Sequence, residues 1–188
     1  SAEGVAVSSY NTMDSHSSST INLENVFVTE ANLIVHEGEG FRHIESCLPQ
    51  ILLCLSAEAL GIMEVLNKLT VEYSKTRKQF GAPIGSFQAL QHRMVDNFMA
   101  FEQSKSMVYR GICESTSFNK NDIDINQFLK TAHAVKALIA KNSKQIGDES
   151  IQIHGGIGMT DELNIGHFVK RLMMINVLFG DGDFHRQC

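Results

Sequence analysis

From residue 48 onward, apolar side chains recur at steps of three and four. Leu48, Ile51, Leu52, Leu55, Ala59, Ile62, Leu66 and Leu69 form one stripe, the period of an amphipathic helix. Pro49 fits the first turn of that helix, where a missing N–H is harmless. The pattern runs to about Lys78 and stops at Gly81 and Pro83. A second stripe follows Ser86, a plausible N-cap, through Phe87, Leu90, Met94, Phe98, Phe101, Val108 and Ile112. A third starts near Asp122 or Asp124, acids suited to a helix N-terminus. It runs through Phe128, Ala132, Val135, Ile139, Ile146 and Ile153 to Gly155-Gly156, a stop signal. A shorter helix is expected over Leu163 to Val177. Long antiparallel helices with short links predict a bundle.

The first forty residues have a different period. Val5, Val7 and Ser9 alternate with Ala6 and Ser8, and Ile21, Leu23, Val26, Phe27 and Val28 make a second β-type run. The polar stretch from Asn11 to Ser19 reads as a turn or loop. Two or three strands cannot form a stable sheet alone. Either they pack on the helices or their partner strands are missing. Charge breaks at the same place. Residues 1–40 hold six acids (Glu3, Asp14, Glu24, Glu30, Glu37, Glu39) and no Lys or Arg, whereas all 16 basic residues and the other 15 acids follow. The boundary is placed near Gly38–Gly40.

Composition narrows the function classes. The 188 residues carry a formal charge of −5, against the basic footprint of a nucleic-acid binder. No apolar run is expected to reach the length of a membrane span, and no signal-peptide pattern opens the chain. Cys47, Cys54, Cys113 and Cys188 lack metal-ligand spacing. Scattered thiols fit a reducing, cytoplasmic location. No histidine has Glu three residues before it, which sets aside a di-iron bundle.

Two segments carry chemistry. The first is Tyr73-Ser-Lys-Thr-Arg77-Lys-Gln79-Phe80-Gly81-Ala-Pro83-Ile84-Gly-Ser-Phe87-Gln88-Ala-Leu-Gln91-His92-Arg93. The second is Ile151-Gln152-Ile153-His154-Gly155-Gly156-Ile157-Gly158-Met159-Thr160-Asp161-Glu162-Leu163. An arginine fork grips a diphosphate bidentately and an aromatic ring lies against a flat heterocycle. Gln88 falls on the first turn of a helix, where free N–H groups favour an anion. Gly155 and Gly156 leave backbone bare for a ligand. Singly, Arg77 reads equally as a surface cation, Phe80 as a core ring and the glycines as a helix stop. His154, next to the Gly pair, reads as a structural or ligand-side residue rather than a catalyst.

Both segments, in this order and spacing, resemble the C-terminal domain of the acyl-CoA dehydrogenases, and the resemblance covers residues 1–188. It implies a mainly α fold, an antiparallel helical bundle over residues 39–188, preceded by a few strands (residues 1–38) from the end of a middle β-domain. It implies FAD as cofactor, contacted by Arg77, Gln79, Phe80, Gln88, Gln152, Gly155 and Gly156, with contacts shared between subunits. A homodimer or homotetramer is therefore implied. The reaction implied is α,β-dehydrogenation of an acyl-CoA thioester, in which a carboxylate removes the α-proton and the flavin takes the β-hydride. The implied protein is longer than this chain, and the 188-residue piece alone is expected to be inactive.

The sequence departs from that family at the base. The family's glutamate near the C-terminus matches Phe179, within Leu178-Phe179-Gly180-Asp181, and the alternative glutamate on the first long helix matches Ile51. Neither takes a proton. Asp181 and Glu58 are the candidate replacements. Asp181 stands where the family has a threonine beside the flavin, and a carboxylate next to a diphosphate suffers like-charge repulsion. The series Asp181, Asp183, His185 reads as an acid/base cluster or as a polar, solvated C-terminal loop, and no metal site is assigned. Glu58, among Cys54, Ala57, Ala59 and Gly61, reads as a desolvated base or as half of an ion pair across the bundle. The runs Ala57-Glu58-Ala-Leu-Gly61 and Leu178-Phe-Gly-Asp181 resemble most the small-subunit type of pimeloyl-CoA dehydrogenase. That branch implies a heteromer with a second acyl-CoA dehydrogenase-like subunit, in which this chain completes the flavin site without supplying the base.

Overall fold

The computed structural model describes residues 3–120 and 122–188. It divides into two compact units, residues 1–47 and 48–188, each described by itself. In the first, strands β1 (Val5–Asn11) and β2 (Ser17–Leu23) form an antiparallel hairpin, with Val5 opposite Leu23 and Asn11 opposite Ser17. The turn is shorter than the predicted loop, because Asn11 and Ser17 still pair. Thr12 N–H donates to the His16 carbonyl at 2.8 Å, and Ser15 takes a left-handed φ of 66°. Val26-Phe27-Val28 is not a strand. Asn25, at φ 51°, turns the chain after Glu24 N–H has paired with the Gly4 carbonyl. Phe27 and Ile34 are 87% and 97% exposed.

Helix α1 (Gly40–Thr76) starts eight residues before the predicted stripe, and Pro49 lies inside it rather than in its first turn. A proline there deletes one i→i−4 bond, and the division between the two units falls beside it, at Cys47/Leu48. One window of α1 has mean hydropathy 1.5, long and apolar enough by composition to cross a membrane, which corrects the sequence expectation. Its stripe Leu52, Ala59, Met63 and Leu66 is fully buried in the bundle core. Ser56, Thr70 and Ser74 are buried on the same helix.

After a two-residue hairpin, β3 (Lys78–Gln79) and β4 (Ala82–Pro83), come α2 (Gln88–Asn119), α3 (Ile125–His154), α4 (Ile165–Val177) and α5 (Gly182–Gln187). Ser86 does not cap α2. Its hydroxyl donates to the Pro83 carbonyl at 2.7 Å, and Phe87 holds the cap position. The buried face of α2 holds Asn97, Ala100, Phe101, Ser104, Val108 and Gly111, while Phe98 and Ile112 are exposed. Small residues win that face because α1 comes so close. A Cβ on Gly111 would lie 2.4 Å from Leu53 Cδ2. Helix α3 is central and follows its predicted stripe, with Phe128, Ala132, Val135, Ile139 and Ile146 all at 0% exposure. Asp124 caps it by accepting from Gln127 N–H at 2.8 Å, and Gly155 ends it at φ 66°. The mainly α bundle is as expected. The C-terminal stretch, expected as a polar loop in one reading, contains α5.

Candidate functional site

Helices α1 and α3 run out side by side at one end of the bundle. Thr70 donates to Ser150 Oγ at 3.2 Å. One turn on, the Tyr73 ring stacks on His154 with centroids 4.4 Å apart. The Tyr73 hydroxyl donates to the His154 carbonyl at 3.3 Å, and His154 Nδ1 lies 2.8 Å from the Ser150 carbonyl. His154 is buried, and because the Ser150 carbonyl can only accept, Nδ1 is the donor. These bonds bring the chain around Arg77 beside the chain around Gly155. A cavity of about 380 Å³ lies between them, lined among others by Tyr73, Thr76, His154 and Leu163.

The segment after α1 is a rigid projecting turn. Ile84 N–H returns to the Arg77 carbonyl at 2.8 Å, closing the hairpin. Phe80 and Gly81 occupy its tip at φ 53° and 81°, as a two-residue I′ turn demands. A left-handed aromatic residue is uncommon, and the Phe80 ring is 94% exposed, meeting only the edge of Phe87 at 6.2 Å. Gln91 Nε2 donates to the Gly85 carbonyl at 2.8 Å, and a Cβ on Gly85 would lie 3.0 Å from the Ser74 carbonyl. The turn is thus tied to both α1 and α2. Arg77, Gln79, Gln88 and Gln152 are exposed. Nothing lies within 4 Å of a Cβ built on Gly155 or Gly156, so their backbone faces open space. An aromatic plate, a guanidinium, three amides and bare backbone around α-helix ends suit a flat, anionic ligand such as a flavin dinucleotide. The observation that decides this fit is Phe80, a large ring held out in a costly backbone conformation, 94% exposed and touched by the edge of Phe87.

The two carboxylates lie elsewhere. Glu58, in the middle of α1, receives a bidentate pair from Arg171 of α4, at 2.6 and 2.8 Å. Asp181 caps α5, accepting from Asp183 N–H at 3.1 Å and Phe184 N–H at 2.8 Å. Gly182 packs on Ala140 of α3, fourteen residues before His154, about 21 Å at 1.5 Å per residue. Phe179 lies in the same loop, at φ 57° and half exposed. Asp183 pairs with Arg186. His185 does not join the two acids. It is buried, with Nδ1 2.6 Å from Nδ1 of His133.

Sequence reasoning missed a residue beside this loop. Lys136 is 0% exposed and meets no carboxylate at bonding distance among the described residues. Its Nζ donates to the carbonyls of Ile175 at 2.7 Å, Gly180 at 3.2 Å and Asn176 at 3.4 Å. Burial pulls its pKa down to about 8, and the nearby Asp181 charge opposes that. His185 is pushed down to about 4 by burial, then by His133 and Lys136. Burial also lowers His133. A lysine at the core-facing step of the α3 stripe, between Val135 and Ile139, was the available signal.

The chain belongs to the acyl-CoA dehydrogenase family. Residues 38–188 match the model for the acyl-CoA dehydrogenase C-terminal domain. Acyl-CoA dehydrogenase IpdE2 of Mycolicibacterium smegmatis is 40% identical over 119 residues, 63% of this chain and 34% of that protein. The mitochondrial 2-methylacyl-CoA dehydrogenase of Solanum tuberosum is 30% identical over 163 residues, 87% of this chain and 38% of that protein. The solved structure of PigA with FAD and proline superposes with a TM-score of 0.86 at 26% identity, covering 99% of this chain and 48% of that one. The chain thus spans less than half the length of the relatives it matches.

Proposed function

We propose that this chain is the C-terminal part of an FAD-dependent acyl-CoA dehydrogenase that forms an α,β double bond in an acyl-CoA thioester. The observation that carries the reading is the projecting turn of Phe80 beside the bare Gly155-Gly156 backbone. Flavin, when bound, supplies the hydride acceptor. Arg77 would face its diphosphate, Phe80 a flat ring, and Gln79, Gln88 and Gln152 its polar edges. The distance of about 21 Å between this station and the Asp181 loop supports a flavin shared with a neighbouring subunit, in a homodimer, a homotetramer or a heteromer. Residues 1–38 are read as the end of a β-domain and 39–188 as the helical domain. Scattered, exposed thiols at Cys47, Cys54, Cys113 and Cys188 support a cytoplasmic location.

A second reading is favoured by one set of contacts. Both replacement bases are engaged, Glu58 by Arg171 and Asp181 by the α5 N-terminus. Phe179 and Ile51 are inert. This is what a partner subunit of the pimeloyl-CoA dehydrogenase small-subunit type would have, completing the site while another chain supplies the base. The full-length protein from its host decides between them. Its flavin spectrum is recorded during anaerobic addition of a panel of acyl-CoAs. Bleaching that is abolished by Asp181→Asn, which keeps the cap, or by Glu58→Gln, assigns the base. A yellow protein that bleaches only when a second subunit is added makes it the supporting half. A protein without flavin refutes both.

A further inference from the structure

Among the described residues, the interior of the bundle holds a cation, Lys136, and two imidazoles, His133 and His185, that the flavin station does not use. Three carbonyls converge on Lys136 Nζ, those of Ile175 and Asn176 in the last turn of α4 and that of Gly180 beyond it. A helix leaves its last carbonyls without intrahelical partners, and a cation there also meets the negative end of the helix dipole. Helix α3 therefore supplies the cap that α4 lacks. Three acceptors need three N–H donors, which only the ammonium form has. On the far side of the loop, His133 and His185 approach Nδ1 to Nδ1 at 2.6 Å. That contact holds one proton, since one nitrogen must donate and the other accept. It fastens α5 to α3. The groups facing His185 are His133 and Lys136 on α3 and Asp181 at the cap of its own helix.

Between these two fastenings lies Leu178-Phe179-Gly180. Phe179 and Gly180 have φ of 57° and 108°, and a Cβ on Gly180 would sit 2.5 Å from the Phe184 ring. An exposed left-handed phenylalanine is held only if both ends of the loop are fixed.

We propose that Lys136, backed by the His133–His185 pair, is a positioning residue that clamps the Leu178–Gly180 loop and so sets how residue 179 meets the acyl thioester. This rests on the proposed acyl-CoA dehydrogenase function and on the resemblance that matches Phe179 to the family's glutamate base. The clamp itself is a property of the fold and is tested separately.

The experiment uses the full-length flavoprotein, unmodified and as Lys136→Met, Lys136→Arg and His185→Asn. Amide exchange is followed across residues 178–187, and the flavin spectrum is followed as an acyl-CoA is added. In Lys136→Met, exchange at 178–187 rises at least tenfold while α2 keeps its protection, and the acyl-CoA-induced spectral shift is lost. Lys136→Arg, which keeps the cation, recovers part of both. His185→Asn loosens 182–187 and supplies the test if Lys136→Met does not fold. Unchanged exchange in both Lys136→Met and His185→Asn overturns the clamp. A loosened loop with an unaltered spectral response leaves the clamp in place and overturns its assignment to the thioester. Absence of flavin overturns the underlying reading while the exchange result still stands.

Discussion

Acidification offers the sharpest quantitative test of the buried cluster. The unfolded chain protonates His185 at its ordinary value of 6.5, whereas the folded chain resists until about 4, chiefly through burial and then through His133 and Lys136. The unfolded state therefore binds more protons between these values, and stability falls as pH drops from 6.5 to 4. The gap of 6.5 − 4, about 2.5 units at 1.36 kcal/mol each, corresponds to about 3 kcal/mol. His133, also lowered by burial, acts in the same direction. A loss of this size is a large part of the about 5–15 kcal/mol that holds a typical domain. Lys136 adds a second window. It is ordinarily protonated below 10.5 and is held near 8 here, so stability rises again from pH 8 to 10.5. Between 6.5 and 8 the cluster contributes no slope. The assay is urea unfolding at half-unit steps from pH 4.5 to 8, with the unmodified protein and His185→Asn. The unmodified protein should lose 2–3 kcal/mol by about pH 4.5, and the variant should lack most of that slope. A flat profile below pH 6.5, or the same slope in both proteins, refutes the reasoning.

Two other substitutions separate function from stability. Phe80→Ala should weaken flavin retention at least tenfold in a dialysis assay with no change in the Tm of the flavin-free protein, because the ring is 94% exposed and packs against an edge of Phe87. Gly111→Ala should lower stability by about 1–3 kcal/mol through overpacking. Its Cβ would lie 2.4 Å from Leu53 Cδ2, and Leu53→Ala in the same chain should recover part of the Tm in a thermal melt.

Much of the bundle was legible because each helix announces itself locally. Every residue of the α3 stripe is buried, but so are polar residues it passes over, Lys136 and His133 among them, since a central helix has neighbours on most sides. Helix α2 was less legible. Its exposed Phe98 and Ile112 carry the apolar signal, while Gly111 and Ser104 fill the buried face. Close helix approach selects for small size, which periodicity does not register. The start of α1 was missed for a related reason. Pro49 resembles a first-turn residue, but its neighbours hold the helix through it.

The sequence by itself determined the helical bundle, the turn signals around Gly81 and Gly155, and the two segments that resemble the acyl-CoA dehydrogenases. These follow from short-range periodicity, backbone freedom and residue chemistry along the chain. Only the tertiary structure decided which polar side chains meet. It joined Tyr73 to His154 across 81 positions, Glu58 to Arg171 across 113, and Lys136 to carbonyls about 40 residues away. A carboxylate or an ammonium is the same residue in any sequence. Whether it becomes a base, an ion-pair member or a cap depends on what the packed helices bring within about 3 Å of it.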